Sequence, residues 1–180
     1  MTAAAHEITV LVADDHAVVR AGIRHILESM PGVAVVAEAS DGPSALRLAR
    51  EQRPDVIILD VSMPGGSGLS VLSELRRDLE QTRILMLSMH DDAEYIAESV
   101  RAGTHGYLLK DSAATDLRAA VRAVMAGESF FSPELSRPRA ASVAHHESPI
   151  TRRERQVLVR VAAGGTNKEI AAELGISHRT

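Results

Sequence analysis

The sequence predicts an α/β fold, a doubly wound five-stranded parallel sheet with helices on both faces. Three observations carry that expectation. Apolar runs of strand length recur between Ile8 and Gly127, stretches of helical period fall between them, and the runs are apolar throughout instead of alternating. Continuous apolar runs are what burial on both sheet faces demands. Strict strand–helix alternation is the unit from which such a sheet is wound.

The elements follow in order. "ITVLVA" is the first strand, and "HAVVRAGIRHILESM" sets Val19, Ile23, Ile26, Leu27 and Met30 on one helical face. "VAVVAEA" is the second strand, followed by the amphipathic "PSALRLAREQ", for which Asp41 is the N-cap. "DVIILD" is the third, then a Gly-rich loop and "LSVLSELRRDL". "RILMLS" and "HGYLL" are the fourth and fifth, each leading into a helix, "DAEYIAESVRAG" and "ATDLRAAVRAVMAG". Periodicity is lost over "SPELSRPRAASVAHHESP", whose three prolines mark a linker.

Beyond it, Thr151 and Glu154 form a capping box for a helix with Val157, Leu158 and Val161 on its apolar face. Asn167 caps a second helix with Ile170, Ala171 and Leu174 inward, and Gly175 ends it. A short helix, a Gly-Ile-Ser turn and a new helix start is the pattern of a helix-turn-helix. The reading helix begins with "HRT" at Thr180, and the pattern calls for further residues to complete it. A chain ending there is expected to accept modification yet bind DNA poorly.

Bulk properties bound the function. The 180 residues are 45% hydrophobic and 24% charged, the composition of a folded globular chain. No cysteine is present, which excludes disulfides, thiolate zinc sites and thiol nucleophiles. No run of about 18 apolar residues occurs, and "MTAAAHEITVLVADD" reaches carboxylates too early for a signal peptide, so a cytoplasmic protein without membrane partners is expected. Residues 1–148 carry 14 Lys+Arg against 21 Asp+Glu, whereas residues 149–180 carry 6 against 3. An acidic body and a basic end point to different partners.

In an open parallel sheet, ligands bind beyond the carboxyl ends of the strands near the switch in strand order. At those ends stand Asp14 and Asp15, Asp60, Ser88 and, after the fifth strand, Lys110. Any one of them has an ordinary reading: Asp15 as a helix cap, Ser88 as a turn residue, Lys110 as a solvated charge. Together they are a site. Clustered carboxylates repel unless a cation relieves them, and hard oxygen donors suit Mg²⁺. With the charge on a phosphoryl group neutralised, a carboxylate can serve as nucleophile at phosphorus, helped by a point-charge amine and a hydroxyl donor. Only two of the 20 basic residues are lysines, Lys110 and Lys168, so a lysine at this position is a marked choice.

"VADDH", "IILDVSMPGGSGL", "LSMHDD" and "GYLLKD" together resemble the receiver domain of bacterial response regulators. With "TRRERQVLVRVAAGGTNKEIAAELGIS" added, the chain resembles the NarL/FixJ class, whose output domain is a LuxR-type helix-turn-helix. The resemblance implies a flavodoxin-like receiver over residues 1–131, a linker over 132–149 and a truncated DNA-binding domain over 150–180. It implies that Asp60 takes a phosphoryl group from a sensor histidine kinase. Asp15 and Asp60 would bind Mg²⁺ directly, Asp14 through water, and the Ser62 carbonyl would add a ligand. Ser88 and Lys110 would hold the phosphoryl group, and Tyr107 would reorient on activation. Lys168, Ser177, His178, Arg179 and Thr180 would face promoter DNA. A homodimer through "RAGIRHILESM" and "LRAAVRAVMAG" is expected on activation. Lys110 is followed by Asp111 where proline is common, Ser67 stands where an acid or amide is frequent, and His90 stands at a position that varies.

Other functions fit less well. An aspartyl-phosphate phosphohydrolase needs a second acid two residues after the nucleophile, and Ser62 is there instead. A flavin or nucleotide binder needs a Gly-rich loop after the first strand, where "ADDHAVVRAG" is acidic. His16 and His90 raise the thought of zinc, but their neighbours are Mg²⁺-type ligands. A turnover enzyme is therefore not expected.

Overall fold

The computed structural model describes residues 7–89 and 91–136. The chain divides into two units at Arg137 and Pro138, and the described residues fall in the first. Expectations for His90 and for the helix-turn-helix lie outside the described residues.

The chain runs through β1 (Ile8–Ala13), α1 (Ala17–Glu28), β2 (Val33–Ala39), α2 (Gly42–Gln52) and β3 (Val56–Asp60). A small antiparallel ribbon follows, β4 (Ser62–Met63) with β5 (Gly66–Ser67), then α3 (Gly68–Asp78), β6 (Arg83–Ser88) and α4 (Ala93–Arg101). β7 (Gly106–Leu109), α5 (Ala113–Met125), β8 (Phe130–Phe131) and a 3₁₀ turn at Pro133–Ser136 complete the unit. The main sheet has the order β2-β1-β3-β6-β7-β8, with every neighbouring pair parallel. Strand order reverses between β1 and β3, which opens a crevice beyond their carboxyl ends.

Side chains alternating along the strands feed two separate cores. Val10, Val12, Ile58, Leu85 and Leu87 pack with Ile23 and Leu27 of α1 and Leu117, Val121 and Val124 of α5. Leu11, Ile57, Leu59, Ile84 and Met86 pack with Ala45 and Ala49 of α2 and with Val71, Leu72 and Leu75 of α3. Both faces are therefore buried, which explains why the strands read as unbroken apolar runs.

The opposite edge of the sheet is closed by polar clasps. Asp55 Oδ2 accepts from both the amide and the hydroxyl of Thr9 at 2.8 Å, tying β1 to β3. His105 Nδ1 accepts from the Ile84 amide at 3.0 Å. Burial, then the charges of Arg76 and Arg83, push the His105 imidazole down to about 4, so it is neutral and keeps that acceptor.

The structure departs from the sequence reading in two places. A sixth parallel strand, β8, pairs Phe130 and Phe131 with Gly106 and Tyr107; two residues are too few to show a period. Ser132, assigned to the linker, is fully buried, and the turn at Pro133–Ser136 belongs to the folded unit. Ser132 donates its amide to the Tyr107 carbonyl and accepts the Leu109 amide on its hydroxyl, which locks the segment onto β7. Asp15 does not cap α1. His16 occupies the cap position, and it makes no side-chain capping bond. Asp41 does cap α2, accepting from the Ser44 amide at 2.8 Å.

Candidate functional site

Four strands deliver their last residues to one pocket. Asp14 follows β1, Asp60 ends β3, Ser88 ends β6 and Lys110 follows β7. The Lys110 amide donates to the Ser88 carbonyl at 2.8 Å, extending the β6–β7 ladder and directing the lysine back across the sheet end. Its Nζ reaches Asp60 Oδ2 at 2.7 Å and Asp14 Oδ2 at 2.9 Å. The Lys110–Asp111 peptide is trans, as are all described peptide bonds.

Asp60 is almost fully buried, and its second oxygen accepts the Ser62 amide at 3.1 Å. The turn that supplies this amide depends on Gly68. A Cβ there would strike the backbone carbonyl of Asp60 and come within 2.8 Å of Val61 Cα. Gly68 also donates its amide to the Val61 carbonyl at 2.9 Å, and Ser67 caps α3 through the Leu69 amide at 3.3 Å. Serine thus serves where an acid or amide was the expected cap.

Asp14 is buried completely, with Oδ1 accepting the His16 amide at 2.8 Å. Its Oδ2 is close to Lys110 but makes no hydrogen bond of sound geometry among the described residues. Arg20 Nη1 donates to the Asp14 carbonyl at 2.7 Å and so supports the loop, not the carboxylate. Asp15 is partly exposed and lies 2.7 Å from His16 Nδ1.

The electrostatics follow from burial. Asp60 is raised above the usual carboxylate range, chiefly by burial, against the lowering effect of Lys110 and the Ser62 amide; the Asp14 charge adds to the rise. Burial favours deprotonation of Lys110, but its hydrogen bond to Asp60 and its close ion pair with Asp14 outweigh this and raise the pKa of the ammonium. Three carboxylates face one ammonium, so the pocket carries excess negative charge. Carboxylate oxygens of Asp14, Asp15 and Asp60, with the His16 ring, offer donor atoms all within 4.8 Å of one another. Three clustered carboxylates with more negative charge than one ammonium relieves, on a rigid sheet end, fit a divalent cation such as Mg²⁺.

Behind the pocket, Tyr107 is fully buried among the α2–α3 side of the core, between Met86 of β6 and Phe131 of β8. Burial raises its phenol above the usual range, and the hydrogen bond between its hydroxyl and the Ser88 side chain opposes that rise. The structure thus brings Asp14, Asp15, Asp60, Ser62, Ser88, Tyr107 and Lys110 to one end of the sheet. Lys168, Ser177, His178, Arg179 and Thr180 lie outside the described residues. Sequence reasoning set His16 aside; its place directly after the paired aspartates was the available signal.

Comparison with known proteins agrees with this geometry. Residues 10–122 match the response regulator receiver domain, and residues 148–180 match the bacterial regulatory proteins of the luxR family. The nitrate/nitrite response regulator protein NarP of Escherichia coli is 43% identical, covering 95% of this chain and 82% of its own. The transcriptional regulatory protein MctR of Rhizobium johnstonii is 37% identical, covering 97% and 82%. The isolated receiver of RcsB from Salmonella enterica, solved with the phosphomimetic BeF₃⁻, superposes with a TM-score of 0.69 at 31% identity, covering 72% of this chain and 96% of that one. The NarL receiver of Mycobacterium tuberculosis gives 0.66 at 38%, covering 69% and 100%. The fold is the flavodoxin-like sheet of these receivers, and a receiver implies a histidine kinase as a LuxR-type domain implies DNA. This chain belongs to the response regulators of two-component systems that pair a receiver with a LuxR-type DNA-binding domain and control transcription.

Proposed function

We propose that Asp60 is the phosphoryl acceptor of this regulator and that its modification controls DNA binding by the residues near the chain's end. The observation that carries this reading is the contact of a buried Asp60 with Lys110 at 2.7 Å, beside a second buried carboxylate, Asp14. In the transfer, one Asp60 oxygen bonds to the phosphorus of a kinase phosphohistidine, the P–N bond breaks, and the imidazole leaves with the electron pair. Lys110 stands where charge on the phosphoryl oxygens develops, and the Ser62 amide fixes the carboxylate's orientation. Asp14, Asp15, Asp60 and the Ser62 carbonyl are the residues that would hold Mg²⁺, which supplies charge neutralisation at phosphorus.

Ser88 is the hydroxyl placed to bond the new phosphoryl group, and it already shares a hydrogen bond with Tyr107. A phosphoryl oxygen competing for the Ser88 hydroxyl alters the packing of Tyr107 and biases a two-state surface. The reading assigns the receiver to the folded unit through Ser136 and the DNA-binding region to 150–180. It includes homodimerisation on activation, cytoplasmic residence and no turnover of small phosphate esters. Among the described residues, no helix is long and apolar enough to cross a membrane.

Incubation with acetyl phosphate and Mg²⁺, followed by a phosphate-affinity gel, tests the assignment. One phosphate per chain is expected, with none in Asp60→Asn and none after chelation. Incorporation that survives in Asp60→Asn, or steady multiple-turnover phosphatase activity, would refute it.

A further inference from the structure

We propose that His16 Nδ1 is a ligand of the cation held by Asp14, Asp15 and Asp60, and that it biases this pocket toward Mn²⁺ over Mg²⁺. The inference rests on the cation-binding reading given above. Its first support is where the ring goes. At a helix N-cap, Ser, Thr, Asp or Asn turns its side chain to the free amides of the first turn, a role histidine does not take. His16 stands at that position with extended backbone and makes no such bond. The ring turns back over the aspartates instead, although it is 63% exposed and free of steric confinement.

The spacing is that of ligands sharing one ion. Nδ1 lies 2.7 Å from Asp15 Oδ1 and 3.4 Å from Asp14 Oδ1. Metal bonds of about 2.1 Å place adjacent corners of an octahedron about 3 Å apart, between those two distances. The wider cluster agrees: one oxygen from each of Asp14, Asp15 and Asp60 and a ring nitrogen of His16 all lie within 4.8 Å of one another. Three carboxylates and an imidazole form a mixed oxygen–nitrogen set. Mg²⁺ favours oxygen ligands and retained water, whereas first-row transition ions bind imidazole more readily.

A His16 that merely donates a hydrogen bond to Asp15 would leave its nitrogen off the metal, and a nuclear readout separates the two. Mn²⁺ is titrated into the full chain and the bound ion is examined by pulsed EPR for coupling to nitrogen-14. His16→Asn is the matched variant, since asparagine is a preferred N-cap and preserves the start of α1. Imidazole-type coupling is expected in the parent chain, displaced by excess Mg²⁺ and absent in the variant. The Mn²⁺-over-Mg²⁺ preference is expected to fall about tenfold in the variant. Coupling that persists in His16→Asn or resists Mg²⁺, or an unchanged preference, overturns the role of His16. Failure of Mn²⁺ to bind the parent chain at all overturns the cation-site reading itself, a distinct result.

Discussion

Lys110 Nζ lies 2.7 Å from Asp60 Oδ2, across two strands of a sheet in which both side chains are nearly inaccessible to water. The pair is part of a triad, because Asp14 Oδ2 shares the same ammonium at 2.9 Å. Removing the lysine leaves two buried carboxylates facing each other. Lys110→Met is expected to destabilise the metal-free chain by about 3 kcal/mol, the usual cost of stranding a buried charge. Millimolar Mg²⁺ should recover part of that loss, and Lys110→Arg should not restore phosphoryl acceptance, because a planar fork does not replace a compact ammonium. Urea melts with and without Mg²⁺, alongside phosphate-affinity gels, check both points.

Asp60 works against stability in its ionised form. Its folded-state pKa is raised, so its contribution to folding is most favourable below the ordinary carboxylate range and falls as pH rises through the shifted value. Asp60→Asn is therefore expected to melt higher than the parent at pH 7 without divalent cations. The gap should close as the pH falls toward 4. Calorimetry across that range decides it, and a lower melting temperature for the variant at pH 7 would count against the balance drawn here.

His105 has the opposite sign. Its pKa is depressed from 6.5 to about 4, so the folded state gains from a neutral ring above the ordinary histidine value and loses that gain as pH falls toward 4. Chemical denaturation between pH 7 and 4 should show this loss in the parent chain and a shallower one in His105→Gln. An NMR titration of the ring should find no protonation at pH 6.

Gly68 admits no side chain. In Gly68→Ala the new Cβ meets only backbone, the Asp60 carbonyl and Val61, which cannot swing aside. A loss of about 1–3 kcal/mol is expected from such overpacking. Displacement of the Ser62 amide from Asp60 should also slow phosphoryl incorporation, measurable in the same gels even at temperatures where the variant is folded.

Much of this arrangement was legible in the sequence because parallel topology does the sorting. Once "ITVLVA", "DVIILD" and "RILMLS" are taken as buried strands, Asp14, Asp60 and Ser88 must emerge at one end. What escaped has no periodic signature. β8 is two residues long, and its place depends on Gly106 letting the Phe130 backbone approach closely. Ser132 looked like the start of a polar linker, yet it is buried because its hydroxyl bonds Asp116 at 2.9 Å and takes the Leu109 amide. The direction of His16 depends on side-chain geometry at the end of β1, and no spacing rule fixes that.

The order β1-β3-β6-β7-β8 also ties the site to the integrity of the sheet. After β3, each strand lies against the one before it, so the sheet extends along one edge in the order of synthesis. Asp14 and Asp60 are set side by side by the pairing of β3 with β1, whereas the place of Lys110 depends on the pairing of β7 with β6. Lys110 lies 50 residues after Asp60 in sequence, so any opening that frees β7 leaves two carboxylates without their ammonium. A chain that can take a phosphoryl group is therefore one whose sheet is intact through β7.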